Sequence, residues 1–344
     1  DAAAADEEDE DGAAAAPHAA ATAASTTAAA PVILLLDGVL QPLPWEACPA
    51  LSGGRAQYSR CPCLPVAAAA ALRCSGGGGG GGNASKSARS PPTLRLRRAF
   101  FLLNPDGDLA ATQSTFESWM RGDNKGAAPA SSSSSSSSSK APERLLPPLR
   151  RPLALPGTAG RRPQARDLAA DLRGRELYLY FGHGAGEQYV PLAALRRLDR
   201  CAGALLMGCS SGRLRAGGLA AEGGGGGGAA PSAVAALPLA LAPWYEPGGP
   251  VLGYLLGGSP AAAACLWDVT DRDIDRFAAA ALARWASAAD EEEGEGEGEG
   301  EGAAVRPPPF FGSALEGARF ACRLPHLIGA APVVYGLPTR VALS

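Results

Sequence analysis

The sequence predicts an α/β fold: a mostly parallel sheet with helices on both faces and long low-complexity insertions. Short continuous apolar runs such as "AFFLL", "LYLYF" and "GALLM" have the pattern of strands buried on both faces, where no alternation with polar residues is required. Between them lie stretches whose apolar residues recur at helical spacing, an alternation that argues for parallel strands joined by crossover helices. Blocks of Ala, Gly, Pro and Ser interrupt both kinds of segment, so much of the 344-residue length contributes nothing to a core.

In chain order, residues 1–30 read as a disordered, Ala-rich acidic tail and 31–344 as one domain. "PVILLLDG" at 31–38 is expected to be a buried strand closed by a turn. A Gly-rich insertion covers about 73–93. "RAFFLLNPDGD" at 98–108 is a second strand, stopped by Asn-Pro-Asp-Gly. Asp108 is a suitable N-cap for the helix that follows, in which Leu109, Thr112, Phe116, Trp119 and Met120 share one face. The interval 121–173, with its serine run at 131–139, is expected to be mostly linker.

"RELYLYFGHG" is the third strand, "PLAALRRLDR" at 191–200 a short helix with Pro191 in its first turn, and "GALLMGCSSG" at 203–212 the fourth strand. A further insertion spans 213–243. "VLGYLLGG" then reads as helix, "AAAACLWDV" as the fifth strand, and Thr270 as the cap of a helix with the apolar stripe Ile274, Phe277, Ala278, Ala281, Leu282 and Trp285. An acidic Glu-Gly insertion covers 287–309, and "APVVYG" at 331–336 is the last short strand.

Composition excludes several classes of function. The formal net charge is −3, without the basic footprint of a nucleic-acid binder. The acidic runs "DEEDEDG" and "DEEEGEGEGEGEG" read as solvated linkers. The N-terminal segment lacks the basic region of a signal peptide, and "SAVAALPLALAPW" at 232–244 is too short and proline-broken to span a bilayer. A soluble chain is expected, and the absence of an initiating Met reads as a piece of a longer protein. The eight cysteines come without a secretory signal to support a disulfide framework, and "CPC" at 61–63 lacks a second pair at zinc spacing. No Gly-rich loop carries the Lys-Ser/Thr of a phosphate cradle.

Two residues stand out. The chain has three histidines; His183 follows a buried strand between two glycines, and Cys209 ends the next strand in "GCSSG". Ligands of open α/β sheets bind beyond the carboxyl ends of the strands, where both residues fall if their strands are neighbours joined by a right-handed crossover. The flanking glycines remove bulk, letting a substrate backbone approach. N–H groups of Gly184 and Cys209 can point at a developing oxyanion. A thiol is a weak nucleophile until ionised, and a histidine at the same rim can take its proton and return it to a leaving amine. The bland alternative is a buried structural cysteine, the reading given to Cys265. Cys48, Cys74, Cys201 and Cys322 have no paired base, His18 lies in the tail, and His326 reads as structural.

"YLYFGHGAGEQYV", "LLMGCSSG" and "LWDVTDRDIDRF" resemble the C-terminal protease domain of separase, a caspase-like cysteine endopeptidase that opens cohesin at anaphase. "PVILLLDGVLQPLPWE", "FFLLNPDGDLAATQSTFESW", "YEPGGPVLGYLLGGSP" and "APVVYG" agree in the same order. The resemblance implies that His183 is the catalytic histidine, that Cys209 is the nucleophile of a thioester acyl-enzyme, and that Gly184 and Cys209 form the oxyanion hole. It implies cleavage after arginine, with an acidic residue three positions earlier. A guanidinium calls for a buried carboxylate; Asp268, beside Trp267, is the first candidate and Asp271 the reserve, with Trp267 lining the pocket. Asp271 and Asp273 also fit first-turn acids of the following helix.

No metal or organic cofactor is implied. The partners implied are a cohesin kleisin substrate, a securin-like pseudosubstrate inhibitor and the enzyme's own upstream helical region, in the nucleus and cytoplasm, with no membrane and no direct nucleic-acid contact. Competing readings are a CHAT-type protease with another substrate and a catalytically dead interaction module.

Overall fold

The computed structural model describes residues 30–51, 57–76, 90–123, 145–146, 153–216, 247–294 and 308–343. The first elements are β1 (Val32–Leu35), β2 (Tyr58–Cys61), α1 (Leu64–Gly76), β3 (Thr93–Arg95), β4 (Ala99–Leu103) and α2 (Ala110–Arg121). Then come β5 (Gly157–Ala159), α3 (Ala165–Gly174), β6 (Leu177–Phe181), α4 (Leu192–Leu195), β7 (Gly203–Leu206), β8 (Arg215–Ala216) and β9 (Pro247–Gly248). The last are α5 (Pro250–Leu256), β10 (Ala261–Cys265), α6 (Asp271–Gly294), α7 (Phe311–Ala318), β11 (Pro332–Gly336) and β12 (Arg340–Ala342).

Eight strands form one sheet in the order β1-β2-β11-β10-β7-β6-β4-β5. Every pairing is parallel except β10 with β11. Five strands (β5, β4, β6, β7, β10) therefore point one way and three (β11, β2, β1) the other. This is the mostly parallel α/β sheet expected, and β6 and β7 are parallel neighbours, the condition under which His183 and Cys209 reach one edge.

Period-2 alternation distributes the apolar strands between two cores. Phe101, Leu103, Leu177, Leu179, Phe181, Leu205, Ala263 and Cys265 face α2, α6 and α7, meeting Phe116, Trp119, Phe277 and Trp285. Phe100, Leu102, Tyr178, Tyr180, Ala204, Leu206, Ala262 and Tyr335 face α3, α4 and α5, meeting Leu168, Leu172, Leu195 and Tyr254. Full burial of a large apolar side chain contributes about 1.5–3 kcal/mol; Trp285, fully buried and stacked on Phe311 at 4.8 Å between ring centroids, is among the largest such groups. The predicted stripe on α6 lies in the first core, as do Phe116, Trp119 and Met120 of the face predicted for α2; Leu109, which precedes the helix, and Thr112 lie outside it.

Several expectations are corrected. β1 is the outermost strand, with Val32 37% and Leu35 48% exposed, so its continuous apolar run does not mark a doubly buried position. β2 escaped notice because "YSRC" carries a charge, yet Arg60 is wholly buried. Its Nε donates to Glu46 Oε1 at 2.7 Å, and its two terminal nitrogens reach Glu46 and the carbonyls of Gln41 and Leu43. A buried guanidinium is tolerated only with such complete pairing.

The interval 121–173 is not uniformly linker. Leu145 and Leu146 pack against the first core, Leu153 and Leu155 are buried, and β5 and α3 follow. Met120 at the end of α2 accepts a hydrogen bond from the Leu155 N–H at 2.8 Å. The insertion expected from 287 begins later, since α6 continues to Gly294. That expected at 73–93 is bounded by the end of α1 and the start of β3, and that at 213–243 begins beyond β8. The rest of these insertions, and the tail through residue 29, lie outside the described residues. No helix among the described residues is long and apolar enough to cross a membrane.

Candidate active site

The carboxyl ends of β4, β6, β7 and β10 lie side by side, and each leads into a loop bearing polar groups. From β6 comes His183, from β7 Cys209, from β4 Asp106 and Asp108, and from β10 the segment Asp268–Thr270 that opens α6. A small cleft between them is lined by His183, Gly208, Cys209, Val269, Asp271 and Asp275 over a floor that includes Thr112, Phe181 and Ile274. His183 and Cys209 thus share one cleft, where the strand-end argument put them.

The aromatic strand before His183 holds the histidine loop from below. The Tyr180 hydroxyl and Gln188 Nε2 both donate to the His183 carbonyl, and Tyr254 on α5 donates to the Ala185 carbonyl at 2.7 Å. Gly184 turns the loop with φ +63°, a left-handed conformation that costs an L side chain and not glycine. Glu187 Oε2 accepts the Ala185 N–H at 2.8 Å, closing the turn.

Gly208 also serves the packing of the two loops. A Cβ on Gly208 would fall 2.0 Å from the Gly184 carbonyl oxygen and 2.4 Å from that of Gly182. At Gly208 the two functional loops approach each other closely. Gly208→Ala must push them apart; the expected outcome is a loss of about 1–3 kcal/mol in stability, the range for overpacking. Thermal unfolding of the purified variant checks it, and an unchanged Tm would show that the loops can separate freely.

Cys209 is half-buried. Its Sγ lies 3.3 Å from the Val269 carbonyl oxygen and 3.4 Å from the Val269 nitrogen, donating to the first and accepting from the second. Ser210 follows at φ +53°, its N–H bonded to the Trp267 carbonyl. Ser211 Oγ donates to the Leu206 carbonyl and accepts the Cys265 N–H, tying the nucleophile turn to β7 and β10. Among the described residues, the N–H groups of Gly184 and Cys209 have no protein acceptor, which leaves both able to face an oxyanion.

His183 Nε2 lies 2.7 Å from Asp108 Oδ2. The carboxylate raises the imidazole pKa above its ordinary value against a smaller opposing effect of desolvation, with Asp106 and Asp271 adding to the pull. Asp108 is not the expected helix cap. α2 begins at Ala110 with Leu109 in the cap position and no side-chain cap bond.

The carboxylates after β10 fall differently from expectation. Asp268 is exposed, accepts the Ser210 hydroxyl at 2.7 Å and is absent from the cleft lining, so it is not the buried carboxylate anticipated there. Trp267 is half-buried, packs against both cores and donates to the Leu327 carbonyl, also away from the cleft. Asp271 is exposed and lines the cleft. Asp273 is buried and structural: it accepts the Arg323 and Leu324 N–H groups and pairs with Arg276.

A buried carboxylate that the sequence reading did not single out, Asp275, also borders the cleft. It accepts the Thr112 hydroxyl at 2.8 Å. Burial raises its pKa to about 7, with the Asp271 charge adding to the shift. The signal was available: Asp275 sits beside Ile274 within an apolar helix face, where a carboxylate needs a reason to be.

Fold and cleft together describe a parallel-sheet α/β domain that brings a histidine and a cysteine to one strand-end cleft, the arrangement of a thiol hydrolase. The family model for the separin protease domain matches residues 4–225. The chain belongs to that family. It is 34% identical over 304 residues to separin of Emericella nidulans, covering 88% of this chain and 11% of the relative. Separin of Schizosaccharomyces pombe is 31% identical over 313 residues, 89% of this chain and 12% of the relative, and mouse separin is 33% identical over 304 residues. The chain therefore spans about a tenth of the length of these relatives. Among solved structures, separase in the Saccharomyces cerevisiae separase–securin complex superposes with a TM-score of 0.60 at 23% identity, over 90% of this chain and 16% of that one. The fold is the separase one.

Proposed function

We propose that this domain, residues 31–344 with its insertions, is an arginine-specific cysteine endopeptidase. Cys209 is the nucleophile and His183 its proton acceptor and donor. The observation that carries the reading is the shared cleft of Cys209, His183 and the buried Asp275. His183 takes the thiol proton, Cys209 Sγ attacks the scissile carbonyl, and the N–H groups of Gly184 and Cys209 receive the oxyanion. Return of the proton to the leaving amine forms the thioester, which water then hydrolyses.

Asp275 supplies the specificity. An arginine entering the cleft finds a carboxylate already stripped of water, and a planar guanidinium pairs with it more favourably than an ammonium does. Asp271, one helical turn earlier, stands nearer the rim. The substrate fitting the family is a cohesin kleisin, cut at anaphase to release sister chromatids. A securin-like segment occupying the cleft without being cut is the matching inhibitor, since the neighbouring solved structures are separase–securin complexes. An upstream helical region of the full-length enzyme is a further partner, and the protein works in the nucleus and cytoplasm.

The test is cleavage of fluorogenic Glu-x-x-Arg, Glu-x-x-Lys and Glu-x-x-Ala peptides, with an arginine-directed thiol probe alongside. The expected result is turnover of the arginine peptide alone and labelling of Cys209. A folded chain that cleaves none of them and leaves Cys209 unlabelled overturns the reading.

The pKa of Asp275 gives a further expectation. Pairing with a guanidinium requires the ionised form, so a carboxyl titrating near 7 must lose its proton when an arginine ligand binds below that pH. Calorimetric titration of an arginine-ended peptide inhibitor at pH 6.5, in buffers of differing ionisation enthalpy, is expected to show net proton release. Absence of release in the parent, or equal release in Asp275→Asn, would remove Asp275 from the pocket.

A further inference from the structure

We propose that Asp108 is a positioning residue for the thiol chemistry, a carboxylate that holds the His183 ring through Nε2 and so presents Nδ1 to Cys209. The proposal rests on the thiol-protease reading above and extends the cysteine–histidine pair to a three-residue relay drawn from β4, β6 and β7.

Geometry carries the argument. Nε2 of His183 and Oδ2 of Asp108 are 2.7 Å apart. An ionised carboxylate only accepts, so Nε2 carries the hydrogen and Nδ1 is the basic nitrogen of the neutral ring. Nδ1 is then the atom available for the Cys209 proton. The helix that starts beside Asp108 makes no use of its side chain, because the cap position belongs to Leu109 and has no side-chain bond.

The loop that carries Asp108 is fixed from several directions. Asn104 is buried at φ +49°, an uncommon conformation for a residue with a side chain. Its Oδ1 accepts the Leu109 N–H at 2.8 Å, and its Nδ2 donates to Gln113 Oε1 at 2.9 Å. Asp106 accepts the Tyr189 hydroxyl at 2.7 Å and Arg162 Nε at 2.8 Å. Tyr189 belongs to the loop of His183 itself, so the Asp108 loop and the histidine loop are tied at two points. Such bracing is what a ring-orienting carboxylate requires.

The protons balance simply. Nδ1 receives the Cys209 proton as Sγ attacks the scissile carbonyl and the C–S bond forms. Nδ1 returns that proton to the departing amine as the C–N bond breaks. Asp108 stays ionised throughout and stabilises the transient imidazolium. The charged groups facing the ring are Asp106, Asp108 and Asp271, all anionic, so the loss of one leaves two.

The experiment compares the parent chain with Asp108→Asn, Asp108→Glu and Cys209→Ser. Three readouts are followed: turnover of the arginine peptide, alkylation of Cys209 by iodoacetamide against pH, and titration of His183 by nitrogen-15 NMR. The expected result for Asp108→Asn is a fall in kcat of about 10–100-fold with KM within about twofold. That is less than the ~10⁴ of a fully buried triad, because this pair is half-exposed. The His183 midpoint and the alkylation profile are expected to move together, with partial recovery of all three in Asp108→Glu.

Unchanged alkylation and titration in Asp108→Asn overturn the proposal even if turnover falls, because a merely structural loss of activity would not spare the coupling. Parent turnover that persists in Cys209→Ser overturns the protease reading instead. Alkylation and NMR still decide the role of Asp108 in that case.

Discussion

Cys209→Ser is expected to lower cleavage of an arginine peptide by at least about 10⁴-fold, the order seen when the nucleophile of a covalent relay is removed. The serine hydroxyl is far less acidic than a thiol, so a site that ionises a thiol does not generate the corresponding alkoxide. The fold should not notice. The Cys209 side chain is held by the Val269 carbonyl and N–H, and a hydroxyl can donate to the one and accept from the other. Unfolding temperatures of parent and variant should therefore agree within about 2 °C, with no labelling by an arginine-directed thiol probe. Retained cleavage at a tenth of the parent rate or more would place the nucleophile elsewhere.

Asp275→Asn is expected to do two opposite things. Removing the charged partner of an arginine in a desolvated pocket costs on the order of 2–4 kcal/mol, or about 30–1000-fold in kcat/KM for arginine peptides. Stability should move the other way. Burial raises the folded-state pKa to about 7, whereas an unfolded aspartate titrates near 3.9. Folded protein thus holds the proton over a range where the unfolded chain has released it. The carboxyl costs the fold nothing below about pH 4, and its cost grows as pH rises from there to about 7.

The asparagine keeps an acceptor for the Thr112 hydroxyl and loses the charge. Its Tm should exceed that of the parent at pH 7.5 and equal it near pH 4. A variant less stable than the parent at pH 7.5, with arginine selectivity intact, would make Asp275 a structural bridge between α2 and α6 and nothing more.

How much of this was legible beforehand depends on the kind of residue. Strands β4, β6, β7 and β10 could be read because burial on both faces writes an uninterrupted apolar run, and the glycines around His183 and Cys209 marked where those runs end. β2 was hidden because one wholly buried arginine, paired with a glutamate fourteen positions earlier, breaks the pattern that marks a strand. The polarity of β11 against β10 could not be read, since a short apolar run carries no direction. Asp268 stands beside Trp267 at a strand end, which suggests a buried carboxylate, but its side chain turns to Ser210 and the solvent; Asp275 lies among apolar neighbours over the cleft. Asp108 was assigned to a helix terminus because local sequence shows caps and cannot show a histidine 75 positions away.

The hydrogen bond between Met120 and Leu155 has a bearing on chain length. It joins the end of α2 to the approach to β5, at the edge of the sheet opposite the cleft, and the serine run at 131–139 falls between its two ends. For a segment tied at its base, the entropy of closure grows only with the logarithm of its length, so a doubling changes it by about 0.6 kcal/mol. Slippage during replication of a repetitive stretch at that place can lengthen or shorten the gene with little thermodynamic consequence, and none of the loops that hold Asp108, His183, Cys209 or Asp275 is displaced. Length is thus loosely constrained at that end of the sheet, whereas at the other end a Cβ on Gly208 would already fall 2.0 Å from the Gly184 carbonyl oxygen.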